Sequence, residues 1–66
     1  MRYFIKIVES SKIKGSRTEM IHKDEQGRLF LGPPISKASG IIVVVEASDS
    51  PLEDGYYHIT KVVGKA

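Results

Sequence analysis

Cysteine is absent from this 66-residue chain, which excludes a disulfide framework and a thiolate zinc site, two common supports of small domains. Long apolar runs are also missing. The longest spans residues 41–45, far short of the ~20 residues a membrane helix needs. No segment combines a charged start, an apolar stretch and a small-residue cleavage site. These absences lead us to expect a soluble, cytoplasmic protein without a membrane partner. A chain this short buries only about 60% of its unfolded surface. Its stability must come from a tight apolar core, from oligomerisation, or from both. One domain over residues 1–66 is expected.

The formal net charge is +2, unevenly spread. Residues 1–40 carry eight Lys/Arg against four Asp/Glu, a net of +4, and residues 41–66 carry two against four, a net of −2. A basic front and an acidic back suit an anionic partner at one end, or head-to-tail self-association into a homo-oligomer.

Period-two alternation of β-branched and aromatic residues dominates the chain, the mark of half-buried strands. Residues 2–8 form the first predicted strand, with Tyr3, Ile5 and Ile7 on one face and Arg2, Phe4, Lys6 and Val8 on the other. The second face carries two charges, so the first is expected to be the core face. Residues 18–23 form a second strand. "KDEQG" supplies a turn in which Gly27 takes positive φ at little cost. Residues 28–31 return as the third strand. "GPPISKASG" follows as a loop, because Pro33 and Pro34 donate no ladder hydrogen bond. Residues 41–47 are the fourth strand. Their apolar positions do not alternate, which predicts burial on both faces. "SDSPLEDG" carries helix-start chemistry cut off by Asp54-Gly55, which predicts a single 3₁₀-like turn. Residues 56–63 are the fifth strand and 64–66 a fraying tail.

Five short strands and no real helix predict an all-β protein, a small barrel whose closure removes exposed edges. The one-turn element before the last strand favours an SH3-like barrel. The alternative OB-like barrel usually places a longer helix between its third and fourth strands, and "GPPISKASG" is a poor helix. A meander that closes only as a dimer is a further alternative.

The stretch with most chemistry is "SSKIKGSR", residues 10–17, holding three cations, three hydroxyls and a glycine. Read as extended chain, it points Lys12 and Lys14 the same way, with Ile13 opposite. Gly15 allows close backbone approach to a phosphate, Ser16 and its N–H can donate to one, and Arg17 offers a bidentate fork. Tyr3 or Phe4, in the preceding strand, could stack a base. The expected nucleic-acid site is therefore Lys6, Lys12, Lys14, Arg17 and Lys37 for phosphates, with Tyr3 or Phe4 for bases, the partner being RNA or DNA. The stretch is no P-loop, which needs G-x-x-x-x-G-K-[ST] between a strand and a helix.

Other constellations are weaker. His22 and His58 fall in predicted strands and could face each other if those strands were neighbours. Two ligands make a poor metal site, so no metal and no cofactor is expected. Asp24-Glu25 and Glu53-Asp54 sit at turn tips, where carboxylates stay exposed and ionised. "DSPLED" lacks the alternating oxygen ligands of a calcium loop. A Ser-His-Asp trio can be assembled on paper, but a barrel this small is filled by its own side chains and offers no substrate pocket. A non-enzymatic role is expected.

The stretch "GIIVVVEASDSPLEDGYYHITKV" reads as strand, Asp-Gly turn and Tyr-rich strand. Over about a third of the chain it resembles the ends of small β-domains in phage tail and baseplate proteins. The resemblance implies a protein-interaction or assembly role. Tyr56 and Tyr57 point to opposite faces, so at least one is expected at an interface, beside a strand edge open to β-augmentation.

Overall fold

The computed structural model describes residues 1–35 and 41–66. Five strands follow in order: β1 (Arg2–Lys12), β2 (Met20–Asp24), β3 (Leu29–Gly32), β4 (Ile42–Ala47) and β5 (Tyr57–Lys65). They close into one barrel in the order β1-β2-β3-β5-β4. All neighbouring pairs are antiparallel except β3 and β5, which run parallel over Phe30–Tyr57 and Leu31–His58. No helix occurs among the described residues, so none of them forms one long and apolar enough to cross a membrane.

The all-β small barrel expected from the alternation is the observed fold. Its connectivity is the OB-like one of the two arrangements. β1 is long, pairs with β4 over Arg2–Lys6, bends, and pairs with β2 over Ile7–Lys12. Val8 causes the bend: the register skips it between Ile7 and Glu9, and a bulge of this kind kinks its strand. The short turn that favoured the SH3-like arrangement is present, with Gly55 N–H donating to the Leu52 carbonyl at 2.9 Å. Such a turn fits either barrel, whereas strand order separates them.

Strand boundaries follow the local chemistry, with two extensions. β1 continues through Ser10, Ser11 and Lys12, because the β2 ladder is there to pair them. The expected tail belongs largely to β5, and Ala66 N–H reaches the Ile42 carbonyl at 2.8 Å.

The core is aromatic at its centre. Tyr3, Ile5, Phe30, Val43, Val45 and Ala47 form the buried cluster, with Ile7, Tyr57 and Ile59 packed against it. Phe30 stacks on Tyr57 at 5.0 Å between ring centroids, and Tyr3 meets both edge-on at 5.4 and 5.5 Å. β4 is buried on both faces, as its sequence implies: Val43 and Val45 lie in the cluster, while Val44 is buried outside it.

Among the described residues, every buried side-chain nitrogen and oxygen has a hydrogen-bond partner. Asp24, expected at an exposed turn tip, is buried instead. Its Oδ1 accepts the Gln26 and Arg28 N–H groups at 3.0 and 2.8 Å, and its Oδ2 accepts Arg28 Nε at 2.8 Å. The turn after β2 folds around this carboxylate, with Gly27 at φ 83°. The Arg28 guanidinium then lies 5.5 and 5.6 Å from the ring centroids of Tyr3 and Phe30. His22 is fully buried. Its Nε2 lies 2.8 Å from the Pro33 carbonyl, which can only accept, so this nitrogen carries the proton. Nδ1 then accepts the Ser10 hydroxyl at 2.8 Å.

Candidate nucleic-acid interface

The β1–β2 connection is a tight turn on an extended arm. Ser16 N–H donates to the Ile13 carbonyl at 3.0 Å, and Gly15 takes φ 86°, a value that favours glycine. Lys14 and Gly15 therefore form a corner, and the expected extended row of Lys12 and Lys14 is not formed. The Ser16 groups are already engaged: its N–H is in the turn, and its Oγ accepts the Thr18 and Glu19 N–H groups at 3.4 and 3.2 Å. The loop thus holds its own shape and commits the Ser16 N–H to it, leaving only the Ser16 hydroxyl proton to donate to a phosphate.

The turn still gathers cations. Lys12, Ser16 and Arg17 line one hollow of about 390 Å³ with Glu19, Met20 and Pro34. Lys12, Lys14 and Arg17 are all exposed. None of the three takes part in an ion pair among the described residues. Glu19 tempers the charge of the hollow, so its walls carry a net of one positive charge from Lys12, Arg17 and Glu19.

The two aromatic candidates separate completely. Tyr3 is buried in the core, and its hydroxyl donates to the Ser48 carbonyl at 2.7 Å, so it cannot stack a base. Burial, with Tyr57 and Asp49 nearby, pushes its phenol above the usual value, against a smaller opposite pull from Arg28. Phe4 points the other way and is 64% exposed. Leaving a large apolar ring in water forgoes the ~1.5–3 kcal/mol its burial would bring. Lys6 shares the Phe4 face by strand alternation. Phe4 and Lys6 pair with β4, whereas Lys12 lies beyond the Val8 bend, so the two groups occupy different stretches of one strand. Lys37 lies outside the described residues.

That Phe4 face also carries charged neighbours from β4 and β5. Arg2 bonds the Glu46 carboxylate at 2.8 Å, and Lys61 sits opposite Glu46 on β5. The Arg2 hydrogen bond, aided by the charges of Arg2 and Lys61, holds the Glu46 carboxyl below its usual range. Arg2 could be placed here from strand alternation. Lys61 could not, because two register shifts between β4 and β5 decide which β5 residues face outward.

The remaining candidates are dispersed. β3 separates β2 from β5, and His22 pairs with inward Phe30 while His58 pairs with Leu31. The two imidazoles therefore lie on opposite faces and share no ligand. His58 Nε2 instead lies 2.7 Å from Asp54 Oδ2. The Tyr56 N–H and then His58 lower the Asp54 carboxyl. Ser48, the nearby hydroxyl, donates to the Ser50 carbonyl at 2.9 Å and accepts the His58 backbone N–H, so it is not aligned with an imidazole nitrogen. Of the interface tyrosines, Tyr57 packs into the barrel and Tyr56 is half-buried. Each strand has two hydrogen-bonded neighbours, but the pairing is staggered. β1 meets β4 only over Arg2–Lys6 and β2 only over Ile7–Lys12, and β5 meets β3 only at Tyr57 and His58, so no described strand is an edge along its whole length.

The molecule is thus a small closed β-barrel of OB-like strand order with a cationic arm. Comparison with protein-family models, with curated proteins and with solved structures finds no match to this chain.

Proposed function

We propose that this protein is a non-enzymatic module that binds nucleic acid along β1, from the Phe4–Lys6 segment to the cationic turn at Lys12, Lys14 and Arg17. The observation that carries the reading is the turn itself. It holds three exposed cations without a carboxylate partner among the described residues, two of them lining one hollow. Such groups are free to neutralise phosphates and release counterions. The OB-like connectivity adds an argument by analogy, since the β1–β2 loop is a common ligand contact of that fold. The acidic β4–β5 connection, with Asp49, Glu53 and Asp54, adjoins the start of β1, where Asp49 lies 3.4 Å from the Met1 amino group, and so favours phosphate toward the Lys12–Arg17 end of the strand.

The test is a filter-binding titration with a single-stranded oligonucleotide over a salt series. Affinity should fall as salt rises, with a slope of about −0.7 per phosphate neutralised. Replacing Lys12, Lys14 and Arg17 together by Ala should flatten that slope by about 2. Affinity that stays flat from low to physiological salt refutes the reading.

A further inference from the structure

We propose that the outer face of the β1–β4–β5 sheet is a base-stacking platform for single-stranded nucleic acid, with Phe4 as the stacking ring and Arg2, Lys61 and Lys6 as flanking phosphate contacts. The inference rests on the nucleic-acid reading above, but concerns a different surface from the cationic turn.

Register builds this face in three rows. Arg2, Glu46 and Lys61 stand side by side across β1, β4 and β5. Phe4, Val44 and Gly64 form the next row, and Lys6 and Ile42 the third. An exposed aromatic is thus bracketed by cations along its own strand. Residues two apart on a strand are about 7 Å apart, so Arg2 and Lys6 flank the ring at roughly equal distance on either side. A base lying on Phe4 would place its neighbouring phosphates toward those two side chains.

The middle row is shaped for a flat ligand. Val44 is only 8% exposed and lies outside the core cluster, so it is a firm floor beside Phe4. Gly64 next to it has no side chain, and a Cβ built there would meet nothing within 4 Å. A planar ring can therefore lie against Phe4 and over the Gly64 backbone without displacing anything. Phe4 sits within a continuous antiparallel ladder rather than on a loop, so the platform is preorganised.

Charge decides the class of occupant. Arg2, Lys6 and Lys61 face one carboxylate, Glu46, already engaged by Arg2. A second copy docked face to face across a two-fold axis would set these cations against themselves. A phosphate backbone meets them with opposite charge, and a nucleobase supplies the π-surface that Phe4 lacks a partner for.

The experiment is fluorescence anisotropy of a labelled short oligothymidine with the full chain, its Phe4→Leu and Lys6→Ala variants, and the Lys12/Lys14/Arg17→Ala variant. Leu keeps an apolar cover over Val44 and removes only the aromatic face; matching melting temperatures verify that it folds. Stacking predicts that Phe4→Leu weakens binding about 5- to 100-fold with an unchanged salt slope. Lys6→Ala should flatten the slope by about 0.7. The chain has no Trp, so Phe4→Trp provides a single emitter whose fluorescence should be quenched by the oligonucleotide. If wild type binds and Phe4→Leu binds equally, the platform is refuted while the cationic turn stands. If wild type does not bind at low salt, both readings fall. If Phe4→Leu instead dissociates a dimer and leaves oligothymidine binding unchanged, the face is a contact between copies and the platform is likewise refuted.

Discussion

Replacing Gly32 by Ala tests the closure of the barrel. Gly32 ends β3 beside β5, and its φ is not in the left-handed region, so conformational freedom does not explain it. Space does. A Cβ at Gly32 would lie 2.7 Å from Ile59 Cβ, 2.9 Å from its Cδ1 and 3.1 Å from its Cγ1. Carbon atoms prefer about 3.5–4.0 Å, so β3 and β5 must part by close to 1 Å. The only ladder holding those strands together, Phe30–Tyr57 and Leu31–His58, lies immediately beside the clash. Overpacking of this kind costs about 1–3 kcal/mol. The smaller unfolded-state entropy of Ala returns about 0.4–1 kcal/mol. A contact of 2.7 Å with a backbone-anchored Cβ belongs in the upper half of that overpacking range, so the net loss is about 1–2.5 kcal/mol and lowers the melting temperature by about 4–20 °C in a domain of this size. Circular dichroism melts provide the measurement, with Ile59→Ala and the double variant completing a cycle. Ile59→Ala removes the two outer contacts and leaves Cβ in place, so the double variant should cost less than the sum of the singles, without full rescue. A melting temperature unchanged by Gly32→Ala, or strict additivity with Ile59→Ala, would show that β3 and β5 do not approach this closely.

Three further outcomes follow from the buried and paired groups. Asp24→Ala strips two backbone donors and Arg28 of their acceptor and should cost about 3 kcal/mol by urea denaturation; Asp24→Asn, which keeps one acceptor oxygen, should cost about half as much. Tyr3→Phe should lose about 0.5–1.5 kcal/mol near neutrality with the bond to Ser48. Because burial raises the Tyr3 phenol, its contribution is complete below the ordinary value of 10.0 and disappears as pH rises through the folded-state value. The urea midpoints of wild type and Tyr3→Phe should therefore converge in alkali, and a constant gap would contradict the buried phenol. Asp54 should titrate below its ordinary 3.8 by carboxyl NMR, its stabilising effect being lost as pH falls through that lower value. His58→Asn should move the Asp54 midpoint only part of the way back, because the Tyr56 N–H is the larger cause.

The sequence displays the barrel more clearly than the interface, for physical reasons. Alternation in β1 assigns Tyr3 and Ile5 inward and Phe4 and Lys6 outward, and the continuous apolar run of β4 announces burial on both faces. Strand order is less visible, since it depends on which strands meet after the chain closes on itself. The fate of Asp24 is local but ambiguous: an Asp three residues before Gly fits both a solvated turn and a carboxylate folded inward to hold one. Tyr3 and Phe4 are adjacent and chemically alike, and only the direction of the strand tells a core ring from a surface one. Lys12 and Lys14 do not form a row because Gly15 turns the chain where their spacing alone implies an extended strand. Lys61 gained its place through register shifts that no composition encodes.

The bent first strand carries a kinetic consequence. Its two halves are stitched to partners at very different separations along the chain, β2 nearby and β4 some forty positions later. A nascent or refolding polypeptide can make the β1–β2–β3 meander early and bring Phe30 to Tyr3, yet Val43, Val45 and Tyr57 complete the wall around Tyr3 and Ile5 only when β4 and β5 arrive. Acquisition of structure should therefore be slow for so short a chain, dominated by one late loop closure.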